Sequence, residues 1–212
     1  MIDLPDLATL STLLHDGRFA AAVVIAVLAG VVRGFSGFGS ALIYVPLIAA
    51  VYEPRMATVS FALMDYVCVL PYALRAFPQA RWREVAPAFG AALLTVPLGT
   101  MTQNAADPIV LRWGMAAFVL VFVLLIAIGW RYPWKPSALA ASGAGALSGF
   151  AGGATQMSGP PAILYWLGSP DNAALIRANL LVFLILLGMT LLANYIWHGL
   201  MTAQPIALAA LL

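Results

Sequence analysis

Charge is the scarcest property of this sequence: 8% of its 212 residues are Asp, Glu, Lys or Arg, against 63% that are hydrophobic. Soluble domains carry about 25% charged residues, and no water-soluble fold hides so much apolar surface. One membrane crossing needs about 20 apolar residues, so the length has room for about eight or nine crossings. The composition therefore predicts an all-α polytopic membrane protein with little mass outside the bilayer.

Cysteine, histidine and basic runs are also nearly missing, and each absence excludes a class of site. Cys68 is the sole cysteine, which excludes a disulfide framework, a CxxC redox pair and a thiolate metal cluster. The ATP-binding sequence GxxxxGK followed by Ser or Thr is absent, and no basic run could follow a phosphate backbone. We expect no metal, no cofactor and no nucleic-acid partner. The expected partner at this point is the lipid bilayer, and a homo-oligomer stays open.

Apolar runs broken by charge, proline or glycine predict eight helices. They cover residues 19–33, 37–52, 56–74, 85–101, 109–130, 137–149, 157–167 and 173–197. A ninth would begin after Pro205, only seven residues from the last residue of the sequence. Seven residues are too few to cross a bilayer, so we expect either a truncated chain or a partial helix.

Two stretches of the chain repeat each other. Residues 29–46 match residues 144–161 without gaps at an offset of 115, with six identities in eighteen positions; chance gives roughly one or two. The match divides the chain into a leader (1–18), a first membrane repeat (19–130) and a second, incomplete repeat (131–212). If the intervening stretch holds five helices, the copies are an inverted-topology duplication. A parallel repeat is the alternative.

Basic residues in short loops predict the orientation, because such loops prefer the cytoplasm. Residues 75–83 hold three arginines between the third and fourth predicted helices, and residues 131–135 hold Arg131 and Lys135 between the fifth and sixth. Both loops are expected on the cytoplasmic side. The loop at residues 104–107 and the N-terminal leader then face outward.

Glycines interrupt the two matched stretches and predict broken helices. Non-helical backbone at membrane depth is tolerated only where protein or a watery cavity satisfies its polar groups. A half-helix starting after each break would aim free N–H groups at an anion in the bundle interior. The alternative is that the glycines only let helices pack closely. These glycines are Gly34, Gly37 and Gly39 in the first copy and Gly145, Gly149, Gly152 and Gly153 in the second.

Small polar residues beside these glycines complete the predicted binding site. Arg33 either supplies a positive charge to the site or extends to the lipid headgroups. Asp65 lies in the middle of a predicted helix, where it either carries a proton or is a structural partner for an arginine. The predicted substrate-binding residues are Arg33, Gly34, Ser36, Gly37 and Ser40 in the first copy, with Gly152, Thr155, Gln156 and Ser158 in the second.

Aromatic residues near predicted helix ends are typical of the belts that mark a membrane interface. The sequence assigns to such a belt Trp130, Tyr132, Trp134, Trp166, Tyr195 and Trp197.

The stretches RGFSGFGSALIYVP and SGFAGGATQMSGPP, with their spacing, resemble the sulfite exporter TauE/SafE family from about residue 20 onward. The resemblance implies a permease of two homologous halves whose glycine-rich stretches help to form the substrate path. Its members are associated with sulfite, sulfonates and other small sulfur-containing anions. The short C-terminal part departs from the family, whose members usually complete another span or two.

The leading hypothesis is a secondary transporter that moves a small oxyanion or organosulfonate out across the bacterial inner membrane. One alternative is an intramembrane enzyme, but His15 and His198 lie at opposite ends of the sequence and Asp65 has no evident carboxylate partner. A second alternative is a non-transporting assembly or scaffold protein, which needs close-packing glycines but no solvated interior.

Overall fold

The computed structural model describes residues 5–36, 39–130 and 137–212. Within these ranges the chain is helical throughout, with a short 3₁₀ turn at Phe77–Gln79 and no strand. The all-α prediction is confirmed. The helices are α1 (Leu7–Leu14), α2 (Phe19–Ser36), α3 (Ser40–Val51), α4 (Pro54–Ala76), α5 (Trp82–Ala105), α6 (Pro108–Ala127), α7 (Ala138–Thr155), α8 (Gly159–Leu167), α9 (Ala173–Trp197) and α10 (Ala203–Leu211).

Each of the eight predicted helices corresponds to an observed one, and α10 begins two residues before Pro205. Helix α1 is additional: it lies inside the predicted leader, and the Asp6 carboxylate caps it by accepting the Thr9 N–H at 2.8 Å. Prolines lie inside α3, α4 and α5 without ending them, because neighbouring helices in a bundle satisfy the backbone groups that proline frees.

Four helical segments are long and apolar enough to cross a bilayer: Pro54–Gln79, Trp82–Ala105, Pro108–Ala127 and Ala173–Trp197. A fifth is reached only if α1 and α2, bent by 87° at the break between them, count as one span. Helix α6 buries just Leu111 and Met115, so most of its surface suits contact with lipid. The chain is a multi-pass membrane protein. By length and composition, however, its described helices do not reach eight or nine full crossings.

Helices α2 and α3 form a hairpin whose two open ends lie together. The Arg18 guanidinium, just before α2, lies 5.1 Å from the ring centroid of Tyr52, just after α3, and donates to the Val51 carbonyl at 3.5 Å. Helices α7 and α8 form a second hairpin, closed by the Tyr165 hydroxyl donating to the Ser137 carbonyl at 3.4 Å. Each hairpin therefore enters and leaves the bundle at one end.

The two hairpins open at opposite ends of the bundle. The connection after α3, at Tyr52 and Glu53, shares a cleft with Gln204 of α10. The connection after α8 is held instead to the start of α5, where Arg81 makes two 2.8 Å bonds to the Asp171 carboxylate. Helix α4 runs from the first connection to the start of α5, and so separates the two openings by its own length.

The helix boundaries repeat along the chain. Helices α2 and α7, α3 and α8, and α4 and α9 each begin 119 residues apart. This spacing exceeds the sequence offset by four residues, about one helical turn. The packing repeats in part, because α5 packs on α9 as α10 packs on α4, whereas within the described residues the close packing of α5 on α7 has no comparable counterpart between α10 and α2. The chain thus holds two similarly ordered sets of helices.

Glycines on α7 set the close packing of α7 against α5. A Cβ at Gly145 would lie 2.0 Å from a backbone carbonyl oxygen of α5, and at Gly149 or Gly153 it would lie 2.4 or 2.3 Å from one. Gly99 on α5 faces the Phe150 carbonyl in the same way, at 2.2 Å. For these α7 glycines the close-packing interpretation is the right one, and the break in the second copy lies farther along the chain.

Candidate functional site

A cavity of about 70 Å³ lies where the tips of the two hairpins meet α4 and α9. Its volume suits a few water molecules or one small oxyanion. The polar side chains in its wall come from both hairpins and from α4, whereas α9 contributes apolar residues and Gly188. Those polar side chains are Arg33, Ser40, Asp65, Gln156 and Ser158.

The first break brings Arg33 and Ser40 to this cavity. Helix α2 ends at Ser36, and Gly39 directly before α3 has φ +88°, a left-handed conformation that favours glycine. Ser40, the first residue of α3, is 5% exposed, and its hydroxyl accepts a hydrogen bond from the Arg33 guanidinium at 2.9 Å. The break therefore presents a hydroxyl, a guanidinium and the start of a helix to one space.

Arg33 forms an ion pair with Asp65 across the cavity. One guanidinium nitrogen of Arg33 binds both the Asp65 carboxylate and the Ser40 hydroxyl. Arg33 therefore turns inward and does not extend to the lipid headgroups, which removes that interpretation. Asp65 is the partner of an arginine, as one of its two interpretations predicted. Whether it also carries a proton stays a prediction.

The second break is built around a strained residue, Gln156, at the end of α7. With φ +61°, it is the only non-glycine with positive φ among the described residues. Such a conformation costs of order 1–2 kcal/mol for an L residue, and strain of this kind clusters at functional sites. The Gln156 side-chain oxygen accepts the Tyr195 hydroxyl at 3.0 Å. The amide NH₂ is then the group that Gln156 can offer to a solute.

The start of α8 differs from the predicted half-helix. Its second and third residues are Pro160 and Pro161, which carry no N–H. The prediction that both half-helices present several free N–H groups is therefore wrong for α8. Ser158, which lines the cavity just before α8, supplies a hydroxyl donor in their place.

Three predicted site residues lie away from the cavity wall. Gly34 is exposed and lies in a separate groove beside Phe35. Gly152 is packed inside the bundle, where an added Cβ would lie 3.1 Å from the Ser158 Cβ. The Thr155 hydroxyl donates to the Ala151 carbonyl of its own helix at 2.8 Å. Gly37 and the side chain of Ser36 lie outside the described residues.

Two aromatic residues assigned to the interfacial belt are buried instead. Tyr195 is fully buried, and its hydroxyl supports Gln156. Trp166 is 1% exposed, and its indole N–H donates to the Glu84 carboxylate at 3.1 Å. Their places near helix ends gave no signal of this, because position along a helix does not say which face a residue occupies. Tyr132 and Trp134 lie outside the described residues.

A polar network that the sequence did not predict joins the two halves at one end of the bundle. Arg81 bridges Glu84, at 2.8 Å, and Asp171. The Asn179 side-chain oxygen accepts the Arg81 backbone N–H at 2.7 Å. Hydrogen bonds from Ser169 and then Arg81 hold the pKa of the Asp171 carboxyl below its ordinary value. The network ties the connection before α5 to the start of α9.

Comparisons with known proteins identify one family. No significant match was found among curated proteins or among solved structures. The sequence model that does match describes a family of transporters, and its match covers residues 22–212. The matched range therefore includes nearly all of both hairpins and the residues that line the cavity between them. Since the match extends over far more than half of the sequence, the chain belongs to the sulfite exporter TauE/SafE family.

Proposed function

We propose that this protein is a secondary transporter that moves a small sulfur-containing oxyanion, sulfite or an organosulfonate, across the bacterial inner membrane. The observation that carries the proposal is the cavity between the two helix breaks. Arg33 and Ser40 reach it from one half of the chain, and Gln156 and Ser158 reach it from the other. A scaffold protein would need the glycine packing of α5 on α7 but would have no use for a polar hollow shared by both halves.

The chemistry of the cavity wall suits an oxyanion. A guanidinium, two hydroxyls and an amide NH₂ are donors to negatively charged oxygen, and the start of α3 adds backbone N–H groups and the positive end of a helix dipole. Apart from the Asp65 carboxylate, the remaining wall is apolar, which strengthens each of these interactions by excluding water. In this site Arg33 attracts the anion, while Ser40, Gln156 and Ser158 orient it.

The two halves are inverted relative to each other in the membrane. Support comes from the hairpins, since α2–α3 opens beside Gln204 and α7–α8 opens beside Arg81. Three helices, α4, α5 and α6, lie between the hairpins, and an odd number of crossings reverses the side of entry. The eight or nine membrane segments are then four spans and four hairpin arms, with α10 as the ninth segment.

The positive-inside rule orients this arrangement. The connection between α4 and α5 carries Arg81 and lies in the cytoplasm, together with the opening of the α7–α8 hairpin. The opening of the α2–α3 hairpin and the connection between α5 and α6 face outward, which agrees with the Arg55 guanidinium donating to the Asn104 carbonyl at 3.1 Å. Alternating access moves the two halves around the cavity. Net flux runs outward, driven by the anion gradient, with Asp65 as the candidate proton carrier.

Counterflow in proteoliposomes tests the proposal. Purified protein is reconstituted, and exchange of labelled sulfite, sulfoacetate, thiosulfate and sulfate is measured against protein-free vesicles. We expect sulfite to exchange. Absence of exchange for all four anions would contradict the proposed function.

Matched variants test the site itself. Ser40→Ala and Gln156→Ala remove donors from the cavity wall and should slow exchange at least about tenfold, the cost of losing one hydrogen bond to a charged group. Thr155→Val is the control, because the Thr155 hydroxyl bonds its own helix and lies away from the cavity wall. Equal rates in Gln156→Ala and Thr155→Val would remove Gln156 from the site.

A further inference from the structure

The charge of the cavity is balanced before any solute enters. Among the described residues that line it, Arg33 is the one cation and Asp65 the one carboxylate. The rest of the wall is neutral on every element that faces the pair. Helix α3 contributes Ser40 and its neighbours, α4 adds Phe61 and Val69, the α7–α8 hairpin adds amide, hydroxyl and apolar groups, and α9 adds leucines and Gly188.

The arginine that would attract an anion is already engaged. Its guanidinium binds the Asp65 carboxylate and the Ser40 hydroxyl through the same nitrogen. The side chains of Arg33 and Asp65 are 26% and 28% exposed. The pair is therefore shielded from most solvent yet open to the cavity. A solute anion must compete with Asp65 for the guanidinium.

The charge balance decides how that competition ends. If Asp65 stayed ionised, a bound monovalent anion would leave the cavity with a net negative charge in apolar surroundings, which is costly. With one proton on Asp65, the cavity carries a single positive charge, and a monovalent anion returns it to neutrality. A divalent anion would leave a net negative charge even then.

We propose that the site binds a monovalent anion together with one proton on Asp65, and that both move in the same direction. This inference rests on the proposed transport function. As the anion arrives, the Asp65 carboxylate takes a proton from the water on the side to which the cavity is open. The anion replaces that carboxylate at Arg33, which stays protonated throughout. Release on the other side returns the anion and the proton to water, and the Arg33–Asp65 pair forms again.

Two consequences follow for the transported species. Each cycle carries no net charge, so the membrane potential neither drives nor opposes it, and the anion and proton gradients alone set the direction. Hydrogen sulfite and monovalent sulfonates are accepted in preference to sulfate and other divalent anions. Asp65 is thus a specificity-determining residue for anion charge as well as a proton carrier.

The test measures the response of transport to an imposed membrane potential. Proteoliposomes take up labelled sulfite at a mildly acidic pH, at which monovalent hydrogen sulfite predominates, with and without a potassium diffusion potential of about 100 mV. For the native protein we expect the same final distribution in both conditions. An uncoupled monovalent anion would instead redistribute by about fiftyfold per 100 mV.

Asp65→Asn is the informative variant, because it leaves Arg33 without a carboxylate partner or a proton carrier. We expect its sulfite flux to become sensitive to the potential, and we expect sulfate to inhibit it more strongly than it inhibits the native protein. Arg33→Gln/Asp65→Asn removes both charges and should bind neither anion. If Asp65→Asn fails to fold, the measurement on the native protein decides alone.

Potential-driven redistribution of sulfite by the native protein would overturn the coupling while leaving the transport function intact. The coupling would also be overturned if the native protein and Asp65→Asn responded to the membrane potential in the same way. A lack of transport for every anion tested would overturn the proposed function and this inference together, so the two failures are distinguishable.

Discussion

The hydroxyl of Tyr195 donates to the side-chain oxygen of Gln156 at 3.0 Å, and both residues are buried. The bond connects the middle of the second hairpin to the end of α9. It fixes the amide of a residue whose backbone is strained, so that the NH₂ group is left for a solute. Tyr195 is therefore a positioning residue that acts through Gln156.

Tyr195→Phe should weaken anion binding without unfolding the protein. Losing one neutral hydrogen bond costs about 1 kcal/mol, or roughly fivefold in apparent affinity, and the ring still fills its place. The measurement is the concentration dependence of sulfite counterflow, compared with Tyr72→Phe, in which the altered ring is 60% exposed on α4. An unchanged apparent affinity in Tyr195→Phe would show that the hydrogen bond between Tyr195 and Gln156 does not contribute to anion binding.

Gly153→Ala should destabilise the protein, because its new Cβ would meet the Val96 carbonyl oxygen at 2.3 Å and the Thr100 nitrogen at 2.9 Å. Both atoms belong to the backbone of α5, so α5 and α7 must move apart at a cost of about 1–3 kcal/mol. Thermal unfolding in detergent measures the loss. Gly143→Ala on the same helix is the control: nothing lies within 4 Å of its new Cβ, and little change is expected. Equal melting temperatures for the two variants would contradict the close packing.

Asp171→Asn should lower stability at neutral pH, because it removes the carboxylate that binds Arg81 through two bonds. Partly exposed pairs of this kind contribute about 0.5–1 kcal/mol. Since the native pKa of Asp171 lies below its ordinary value of 3.8, this contribution is fully present above that pH and is lost as the pH falls below it.

Chemical unfolding of the native protein and of Asp171→Asn as a function of pH measures this difference. The gap in the free energy of unfolding should be constant from neutral pH down to mild acid and should close below pH 3.8. A gap that persisted at lower pH would show that the carboxylate charge is not its origin.

Single cysteines in a Cys68→Ser background should report the inverted arrangement. Gln79→Cys and Pro170→Cys flank the Arg81–Asp171 network and should react with an impermeant thiol reagent only from the cytoplasmic side. Glu53→Cys and Gln204→Cys border the opposite cleft and should react only from outside. Labelling of Gln79→Cys and Gln204→Cys from the same side would exclude inversion.

Local sequence signals predicted the helices and the two breaks well. Apolar runs place eight helices correctly because glycine, proline and charge interrupt them, and the matching stretches at 29–46 and 144–161 identify the two breaks. Helix α1 was not predicted, because residues 1–18 are too polar to resemble a membrane span. The helices begin 119 residues apart although the sequence match has an offset of 115, since a match without gaps follows identical residues and not helix ends.

The roles of individual site residues were harder to predict. Arg33, Ser40, Gln156 and Ser158 line the cavity, because they flank the breaks along the chain. Gly152 and Thr155 are equally close in sequence, but the turn of α7 directs them into packing and into their own helix. Nothing local to α9 signals that Tyr195 reaches Gln156, since that contact joins residues far apart in the chain.

By itself the sequence determined that this protein lies in a membrane and that it is helical, because these properties follow from composition and short-range periodicity. It also determined that two stretches of the chain match each other, because that follows from their identical residues. Only the tertiary structure decided which helices become hairpins, which end of the bundle each one opens toward, and that Arg33 faces Asp65. Those features depend on contacts between distant segments. Such contacts are set by which side chains fit together once the apolar surfaces are buried, and no single stretch of sequence records them.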